Sequence, residues 1–303
     1  MIFALLFLAL LSVRAQDLVM PDSEHNFRPM EEQWLIFPMT NKDFNNWQTE
    51  GSAVFLRNHL VVSPGSKNLK GLVYNTNPTS TGSVKGWIAE FDLDLGNDDL
   101  LELGSGGLAI YFLRNFDPDQ RSGLYGYTNK FDGVAVIVST LVKQRVQKEY
   151  GLEFHSSIQG FDNDGSHNIN LLRRSSNQCF AKINGQKGEV FRVRLEYESD
   201  PAKTLHVSFF SQETMQFERC FAWQIDLEYQ GIWAVSAASG MRDPDHHHLR
   251  SIKLWDTSQE VLNNHYQDSH QRKALTEQLA DKLSQDVNDL IHMSASADQF
   301  TEE

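Results

Sequence analysis

The chain lacks the features that would direct it to nucleic acid or into a membrane. Its 303 residues carry 27 lysines and arginines against 40 aspartates and glutamates, a formal net charge of −13. A surface of this sign repels nucleic acid and anionic lipid. After the N-terminal segment there is no apolar run of about 18 residues. The sequence as given therefore predicts no membrane-spanning helix.

Signatures of several enzyme classes are also missing. The sequence has no GxSxG, no HExxH and no P-loop motif. These motifs carry a nucleophile, a zinc site and a phosphate cradle respectively. We therefore expect no enzymatic activity of these three kinds.

Cysteine is scarce, and its two positions bear on the cellular compartment. Residues 2–13 form a short apolar run that ends near Ala15, which predicts a signal peptide over residues 1–15. Because this run has no preceding Lys or Arg, an uncleaved anchor remains the alternative. In an oxidising compartment the pair Cys179 and Cys220 predicts one disulfide, with two buried free thiols as the alternative.

What the chain does contain is a series of short apolar segments. GGLAIYFL (106–113) and GVAVIVST (133–140) have the length and composition of buried strands. Similar short runs separated by Gly, Pro, Asn and Asp clusters continue over residues 25–256. We expect one all-β sandwich domain there.

The character of the sequence changes after this domain. Over residues 257–295 an apolar residue recurs every four positions, from Leu275 to Ile291, which predicts an α-helical segment. The helix either packs on the sandwich or forms a stalk that makes a homo-oligomer. Residues 296–303 are expected to be a tail.

Several segments, in order, resemble the legume-lectin-like (L-type) family of ER and Golgi cargo receptors. The two apolar strands follow the family's (G)DGxAxW and GxVFG…GxxIFxD strands. FNNWQTEGSAVFLRNHLVVSPGSKNLKGLVYN (44–75) and GWIAEFDLDLG (86–96) follow its N-terminal strands, and GIWAVSAASGMRDPDHHHLRSIKLW (231–255) its closing segment. The resemblance implies a concanavalin-like antiparallel β-sandwich, a Cys179–Cys220 disulfide and a helical stalk.

The family binds sugar with the help of Ca²⁺, and this sequence departs from the family's metal ligands. Ca²⁺ takes about six to eight oxygen ligands, several of them carboxylates. The matching positions here are Ser139, Leu141 and Lys143. A serine replaces the ligating aspartate and a lysine would place a cation at the metal. We therefore predict that the family's Ca²⁺ site is absent and that no cofactor is bound.

Part of the family's sugar-contacting set is still recognisable. FDNDG (161–165) resembles the family's YDHxxDG, which places Asn163 at a sugar-contacting position and Asp164 at a metal-binding one. Gly240 matches a backbone sugar contact, whereas the mannose-contacting aspartate falls at Gly106. We expect carbohydrate binding, if it survives, in a cleft between Asn163, Asp164 and Gly240.

Clustered histidines and acids after Gly240 raise the question of a transition metal. Asp243, Asp245 and His246–His248 carry donors that suit Zn²⁺ or Cu²⁺. Neighbouring side chains on a strand point to opposite faces, so at most two of the histidines converge. We interpret this loop as structural, with no metal ligand.

A hydrolase is the remaining enzymatic alternative. Glu90, Asp92 and Asp94 share one face of a strand, and resemble the ExDxE signature of concanavalin-like glucanases. The opposite face of the strand is apolar, so the acids are equally the polar side of an ordinary half-buried strand. We favour the non-enzymatic interpretation.

Together these features predict a lectin-like protein of the secretory-pathway lumen. It would recognise glycoprotein cargo or a high-mannose glycan in ER-to-Golgi transport. It would be membrane-anchored only if the chain continued beyond residue 303. The alternative is an interaction or structural module of the same fold that has lost sugar binding.

Overall fold

The structure is a computed structural model. It describes residues 27–80, 86–96, 106–120, 123–140, 155–169, 175–183, 189–199, 202–241 and 244–260. Phe27–Gln259 form one compact unit.

Strands dominate the described residues, and the helical content is one short helix, α1 (Asn41–Asn46), with two single 3₁₀ turns (Glu31–Gln33 and Leu124–Gly126). The strands are β1 (Phe27–Pro29), β2 (Leu35–Ile36), β3 (Trp47–Gly51), β4 (Val54–Phe55), β5 (Leu60–Ser63), β6 (Lys70–Asn75), β7 (Thr79–Ser80), β8 (Gly86–Gly96), β9 (Gly106–Asn115), β10 (Asp132–Ser139), β11 (His155–Asp164), β12 (Gln178–Lys182), β13 (Phe191–Glu198), β14 (Thr204–Ser211), β15 (Gln216–Gln224), β16 (Gln230–Ser239) and β17 (His246–Glu260).

These strands form two antiparallel sheets. The nine-stranded sheet has the order β15-β14-β13-β8-β17-β5-β4, with β1 and β2 added on β17. The eight-stranded sheet has the order β12-β11-β10-β9-β16-β6-β3, with β7 added on β16. The predicted all-β antiparallel sandwich is therefore confirmed.

Strand β8 shows how the sequence builds the sandwich. Every second residue from Trp87 to Leu95 belongs to the core between the two sheets. The intervening residues, among them Glu90, Asp92 and Asp94, face the other way, as the pleat of a strand requires. β8, which lies between β13 and β17 in its sheet, therefore has one apolar face and one face that carries the three acids.

Strands β9 and β10 are apolar on both faces because both faces are covered. Ile110 and Phe112 pack into the core between the sheets. Ala109 and Tyr111 belong to a second apolar cluster on the opposite face of the eight-stranded sheet. The continuous apolar runs in the sequence follow from this double burial.

The second cluster is closed by the segment that joins β9 to β10, here called the covering loop (residues 116–131). The Tyr127 ring lies 5.3 Å from that of Tyr111, and the Phe131 ring 5.6 Å from it. Phe116 stacks on Tyr127 at 5.6 Å. Both Tyr127 and Phe131 are buried. The described parts of the loop, residues 116–120 and 123–131, are thus held on the sheet by aromatic contacts.

The predicted disulfide is present. Cys179 on β12 is bonded to Cys220 on β15, with their Cα atoms 5.4 Å apart. β12 ends the eight-stranded sheet and β15 ends the nine-stranded one. The bond therefore joins the two sheets along one side of the sandwich.

Two predictions concern the termini. The signal peptide (1–15) and most of the helical segment (257–295), with the oligomerisation expected from it, lie outside the described residues. The helical prediction is wrong for its first four residues, because β17, paired with β8 up to Asp256, continues as a strand to Glu260. Nowhere in the described part of the chain does a helix have the length and apolar character of a membrane span.

We expect the disulfide to contribute strongly to stability. Replacing both cysteines by serine opens a loop of 41 residues, which in the chain-entropy treatment lowers the free energy of unfolding by about 4 kcal/mol. For a domain of this size the melting temperature should fall by about 10 °C. Urea and thermal unfolding of the mature wild type and the double variant test this. Equal stability of the two proteins would contradict it.

Candidate functional site

One end of the eight-stranded sheet brings together three of the positions that the family resemblance singles out, namely Gly106, Ser139 and Gly240. In the strand register Gly106 lies opposite Ser239, and Gly107 opposite Ser139. Gly240 follows Ser239 directly. We call this end, defined by Gly106, Gly107, Ser139 and Gly240, the glycine end.

Tyr125 of the covering loop reaches the glycine end, and sequence reasoning did not single it out. A Cβ atom on Gly107 would lie 2.7 Å from two ring atoms of Tyr125, so the ring rests where a side chain would stand. The Tyr125 hydroxyl donates to Ser139 Oγ at 3.0 Å. Tyr125 has φ of +41°, an uncommon conformation for a non-glycine residue. Burial raises the pKa of Tyr125, which keeps the phenol protonated as a donor.

The residues of the glycine end do not fit the Ca²⁺ that the family uses. Ser139 offers a neutral hydroxyl in place of a carboxylate, and this hydroxyl is engaged by Tyr125. Ca²⁺ requires several anionic or carbonyl oxygens around one point. The other two predicted positions, Leu141 and Lys143, lie outside the described residues. Among the residues that the structure describes, the glycine end therefore offers Ca²⁺ no carboxylate ligand.

Gly240 is fixed by backbone and hydroxyl hydrogen bonds. Its carbonyl accepts from the Asn68 amide at 3.2 Å. The preceding Ser239 amide donates to Ser63 Oγ at 3.2 Å, and the Leu69 amide donates to Ser239 Oγ at 3.0 Å. The segment before β6 is thus tied to the end of β16, which gives the glycine end a well-defined backbone.

Asn163 and Asp164 lie at the opposite end of the same sheet. Asn163 pairs with Gly133 and Asp164 with Asp132, where β10 begins. β10 then runs to Ser139, so the two ends lie roughly 23 Å apart at about 3.3 Å per residue. The structure therefore does not bring Asn163 and Asp164 together with Gly240, and the single cleft expected from the sequence is not formed.

The local contacts of these two residues are those of a turn. The Asn163 amide donates to the carbonyl of His167 at 2.8 Å. The Asp164 carboxylate accepts from the Ser166 amide at 2.9 Å, and the Ser166 hydroxyl also donates to it. Asp and Asn commonly stabilise turns in this way.

A cavity of about 270 Å³ lies beside this turn, at what we call the aspartate end. Its walls come from the covering loop, the end of β9, the start of β10 and the turn after β11. Asp132 is held there by Arg114 at 3.0 Å and by the amide of Asn115. Residues lining it include Asn115, Phe116, Asp117, Tyr127, Phe131 and Asp164.

The acidic face of β8 is neutralised by arginines on the neighbouring strands. Arg192 makes two hydrogen bonds to Asp92, at 2.6 and 3.0 Å. Arg194 bonds Glu90 at 2.6–2.7 Å. A retaining hydrolase needs one protonated and one free carboxyl. Both carboxylates are held by arginines and neither is left free for the two roles, so their arrangement does not support the glucanase alternative.

The third acid, Asp94, is surrounded by cationic and imidazole groups. Its carboxylate lies 3.1 Å from His246 Nε2 and 3.7 Å from His248 Nδ1, and Arg250 also donates to it. Burial opposes its ionisation, but hydrogen bonds from His246, His248 and Arg250 hold the pKa of Asp94 well below its usual value.

The three consecutive histidines alternate across β17 as expected. His246 and His248 share the charged face with Asp94, whereas His247 lies opposite Leu95 and faces the core. Asp245 is fully buried, and Asp243 lies outside the described residues. Only two of the three imidazoles converge.

His247 is a buried imidazole with no hydrogen-bond partner for either ring nitrogen. It packs against Gly106, where a Cβ atom would lie 2.7 Å from its Cε1 atom. Burial, with the nearby His246 and His248, lowers the pKa of His247 to about 3.

We expect His247 to make the fold sensitive to acid. The folded state keeps His247 neutral down to about pH 3, whereas the unfolded chain takes up a proton near pH 6.5. The contribution of neutral His247 to the free energy of unfolding is therefore fully present above about pH 6.5 and is lost as the pH falls towards 3. About 2 kcal/mol of it is lost between pH 6.5 and pH 5. Urea unfolding at pH 7 and pH 5 should show a smaller difference in His247→Gln than in wild type. The exposed His167→Gln is the control, and an unchanged difference in His247→Gln would contradict the assignment.

Comparison with known proteins places these observations in a family. No curated protein matches the sequence. Among solved structures, the VIP36 exoplasmic/lumenal domain bound to Ca²⁺ and Man3GlcNAc has a TM-score of 0.63 at 18% identity, over 78% of this chain and 95% of that one. The Emp47p carbohydrate recognition domain has a TM-score of 0.60 at 16% identity, over 76% and 97% of the two chains. The metal-free Emp46p carbohydrate recognition domain has a TM-score of 0.61 at 17% identity, over 76% of this chain and 98% of that one.

These similarities concern the fold. The family assignment comes from the sequence, because the model of the legume-like lectin family matches residues 30–263. The matched range contains every strand of the two sheets except β1, and both ends of the eight-stranded sheet. This chain belongs to the legume-like lectin family.

Proposed function

We propose that this domain recognises glycoprotein cargo in the lumen of the secretory pathway through glycans of the high-mannose class. Membership of the legume-like lectin family supports the proposal. So do the structural neighbours, since VIP36 was solved with Man, Man2 and Man3GlcNAc, and the Emp46p and Emp47p domains are carbohydrate recognition domains.

The site we favour is the glycine end, and the observation that carries the proposal is the Tyr125–Ser139 hydroxyl pair beside Gly107. Each hydroxyl can both donate and accept, which complements the hydroxyls of a sugar. The pair stands on the same sheet end as the backbone of Gly240. Neutral hydrogen bonds would then replace the carboxylates and metal of the family, and binding would be independent of Ca²⁺.

A second candidate function is an interaction module that holds protein cargo without reading sugar. The observation that favours it lies at the same end, because Tyr125 and Ser139 are already bonded to each other and Ser239 is bonded to the Leu69 segment. A sugar would have to compete with these bonds. Neither candidate includes hydrolysis, since the acids of β8 are paired.

Calcium should neither stabilise the domain nor change its ligand binding. A ligand stabilises a protein only by binding its native state. We therefore expect the melting temperature in millimolar Ca²⁺ to equal that in chelator within about 1 °C. Differential scanning calorimetry measures this. A clear upward shift would show that a Ca²⁺ site exists and that the metal-independent proposal is wrong.

Glycan binding should depend on the glycine end. On a glycan array we expect the mature protein to bind high-mannose ligands equally with and without chelator. Gly240→Val places a side chain where a ligand approaches backbone, and should abolish binding. Tyr125→Phe keeps the ring and removes the hydroxyl, and should weaken binding by about 1–3 kcal/mol.

The aspartate end supplies matched comparisons. Asn163→Ala and Asp164→Ala should leave binding unchanged if the glycine end is the site. Loss of binding in these variants but not in Gly240→Val would move the site to the cavity beside Asp164. Absence of any binding by the wild type at millimolar ligand would reject sugar recognition and leave the protein-only module.

A further inference from the structure

A second site lies on the charged face of the nine-stranded sheet, away from the eight-stranded sheet that carries the glycine end. The ligand atoms of Asp94, His246 and His248 all lie within 4.8 Å of one another. Asp94 is 1% exposed and His246 4%. The three side chains come from two strands, β8 and β17, which are hydrogen-bonded neighbours.

The strand register brings these donors together. His248 lies directly opposite Asp94, and side chains so paired stand about 4.5–5.5 Å apart at their Cβ atoms. His246 is two residues from His248 and therefore points to the same face. The two imidazole rings stack at 4.4 Å. The cluster is thus built on two paired strands and does not depend on a loop.

A third imidazole joins the cluster from the turn between β4 and β5. The His59 ring lies 4.7 Å from that of His248. Burial, His248 and Arg250 lower the pKa of His59 to about 4, so its ring is neutral near pH 7. Three imidazoles therefore crowd around one buried carboxylate.

We propose that Asp94, His246 and His248 bind a divalent transition-metal ion of the Zn²⁺ type. Two imidazole nitrogens and one carboxylate oxygen form a donor set that suits Zn²⁺ and not Ca²⁺, which prefers oxygen alone. With metal–ligand bonds of about 2.0–2.1 Å, the donor atoms of a tetrahedral ion stand about 3.3 Å apart. The His246–Asp94 separation of 3.1 Å is already close to this, so only the wider separations, up to 4.8 Å, must shorten. His248 can supply this movement because it is the more exposed of the two histidines.

Arg250 is compatible with this site. It donates to Oδ2 of Asp94, whereas His246 Nε2 lies against Oδ1. A carboxylate that binds a metal through one oxygen is commonly hydrogen-bonded through the other, which fixes its orientation. Arg250 would hold Asp94 in place while Oδ1 binds the ion. The fourth position is left to water or to His59.

The test is titration of the full chain, purified with a non-histidine tag, with Zn²⁺ and with Co²⁺. Calorimetry should show one equivalent of Zn²⁺ bound with a dissociation constant below about 10 µM. Co²⁺ should give visible absorption bands of a low-symmetry nitrogen and oxygen site. Excess Ca²⁺ should not displace either ion.

Variants assign the site. His248→Gln alters the more exposed ligand and should weaken Zn²⁺ binding at least tenfold, with loss of the Co²⁺ bands and an unchanged circular dichroism spectrum. His246→Gln should do the same, and His167→Gln, at an exposed histidine outside the cluster, should bind as wild type. Wild-type protein that binds no Zn²⁺ at 100 µM metal, or His248→Gln that binds equally well, would overturn the proposal.

Discussion

The contact between Trp87 and Trp233 is the interaction on which the rest of the structure depends. Trp87 belongs to the centre of the nine-stranded sheet and Trp233 to that of the eight-stranded sheet, and their rings meet edge to face at 5.0 Å. Phe112 of β9 packs on Trp233 at 4.9 Å, and Phe91 of β8 at 5.7 Å. Such pairs add specific geometry to the burial of large apolar surfaces. They fix how β9 and β16 lie over β8, and hence where the glycine end is formed.

On the opposite face of β8 the charges specify strand register. Arg192 lies directly opposite Asp92, and Arg194 directly opposite Glu90. A slip of one residue would move every side chain to the other face and leave these charges in the core. Buried ion pairs contribute little net stability, because desolvation offsets their attraction. Their value here is in excluding alternative pairings of β8 with β13.

The elements of the fold could be read from the sequence because each is encoded locally. The alternation of apolar and polar residues in 86–96 and the continuous apolar runs of β9 and β10 are visible in the sequence itself. The disulfide was predicted from the even cysteine count together with the family resemblance. The boundary after residue 256 was missed because a polar edge of a long strand and the start of a solvated helix have similar composition. β17 continues through that boundary.

The candidate site was less accessible to sequence reasoning because it depends on register. Asn163 would lie near Gly240 only if the turn after β11 stood beside the last residues of β10, and it stands beside the first ones. A motif match does not say which end of the neighbouring strand a turn lies beside. Sequence reasoning missed Tyr125 because an aromatic residue in a Gly-rich loop gives the same sequence pattern whether it packs on an apolar cluster or lines a binding site. Asp94 is recognisable as a carboxylate on a strand, but its partners His246 and His248 stand more than 150 residues away.

The position of the disulfide has a consequence beyond its effect on unfolding. β12 and β15 are the terminal strands of their two sheets in the strand order of the described residues. The Cys179–Cys220 bond pins these two edges against each other. Without the bond, a terminal strand could separate from its neighbour while the opposite sheet stayed intact. The disulfide therefore couples local opening of the two edge strands, so that neither can open far without displacing the other.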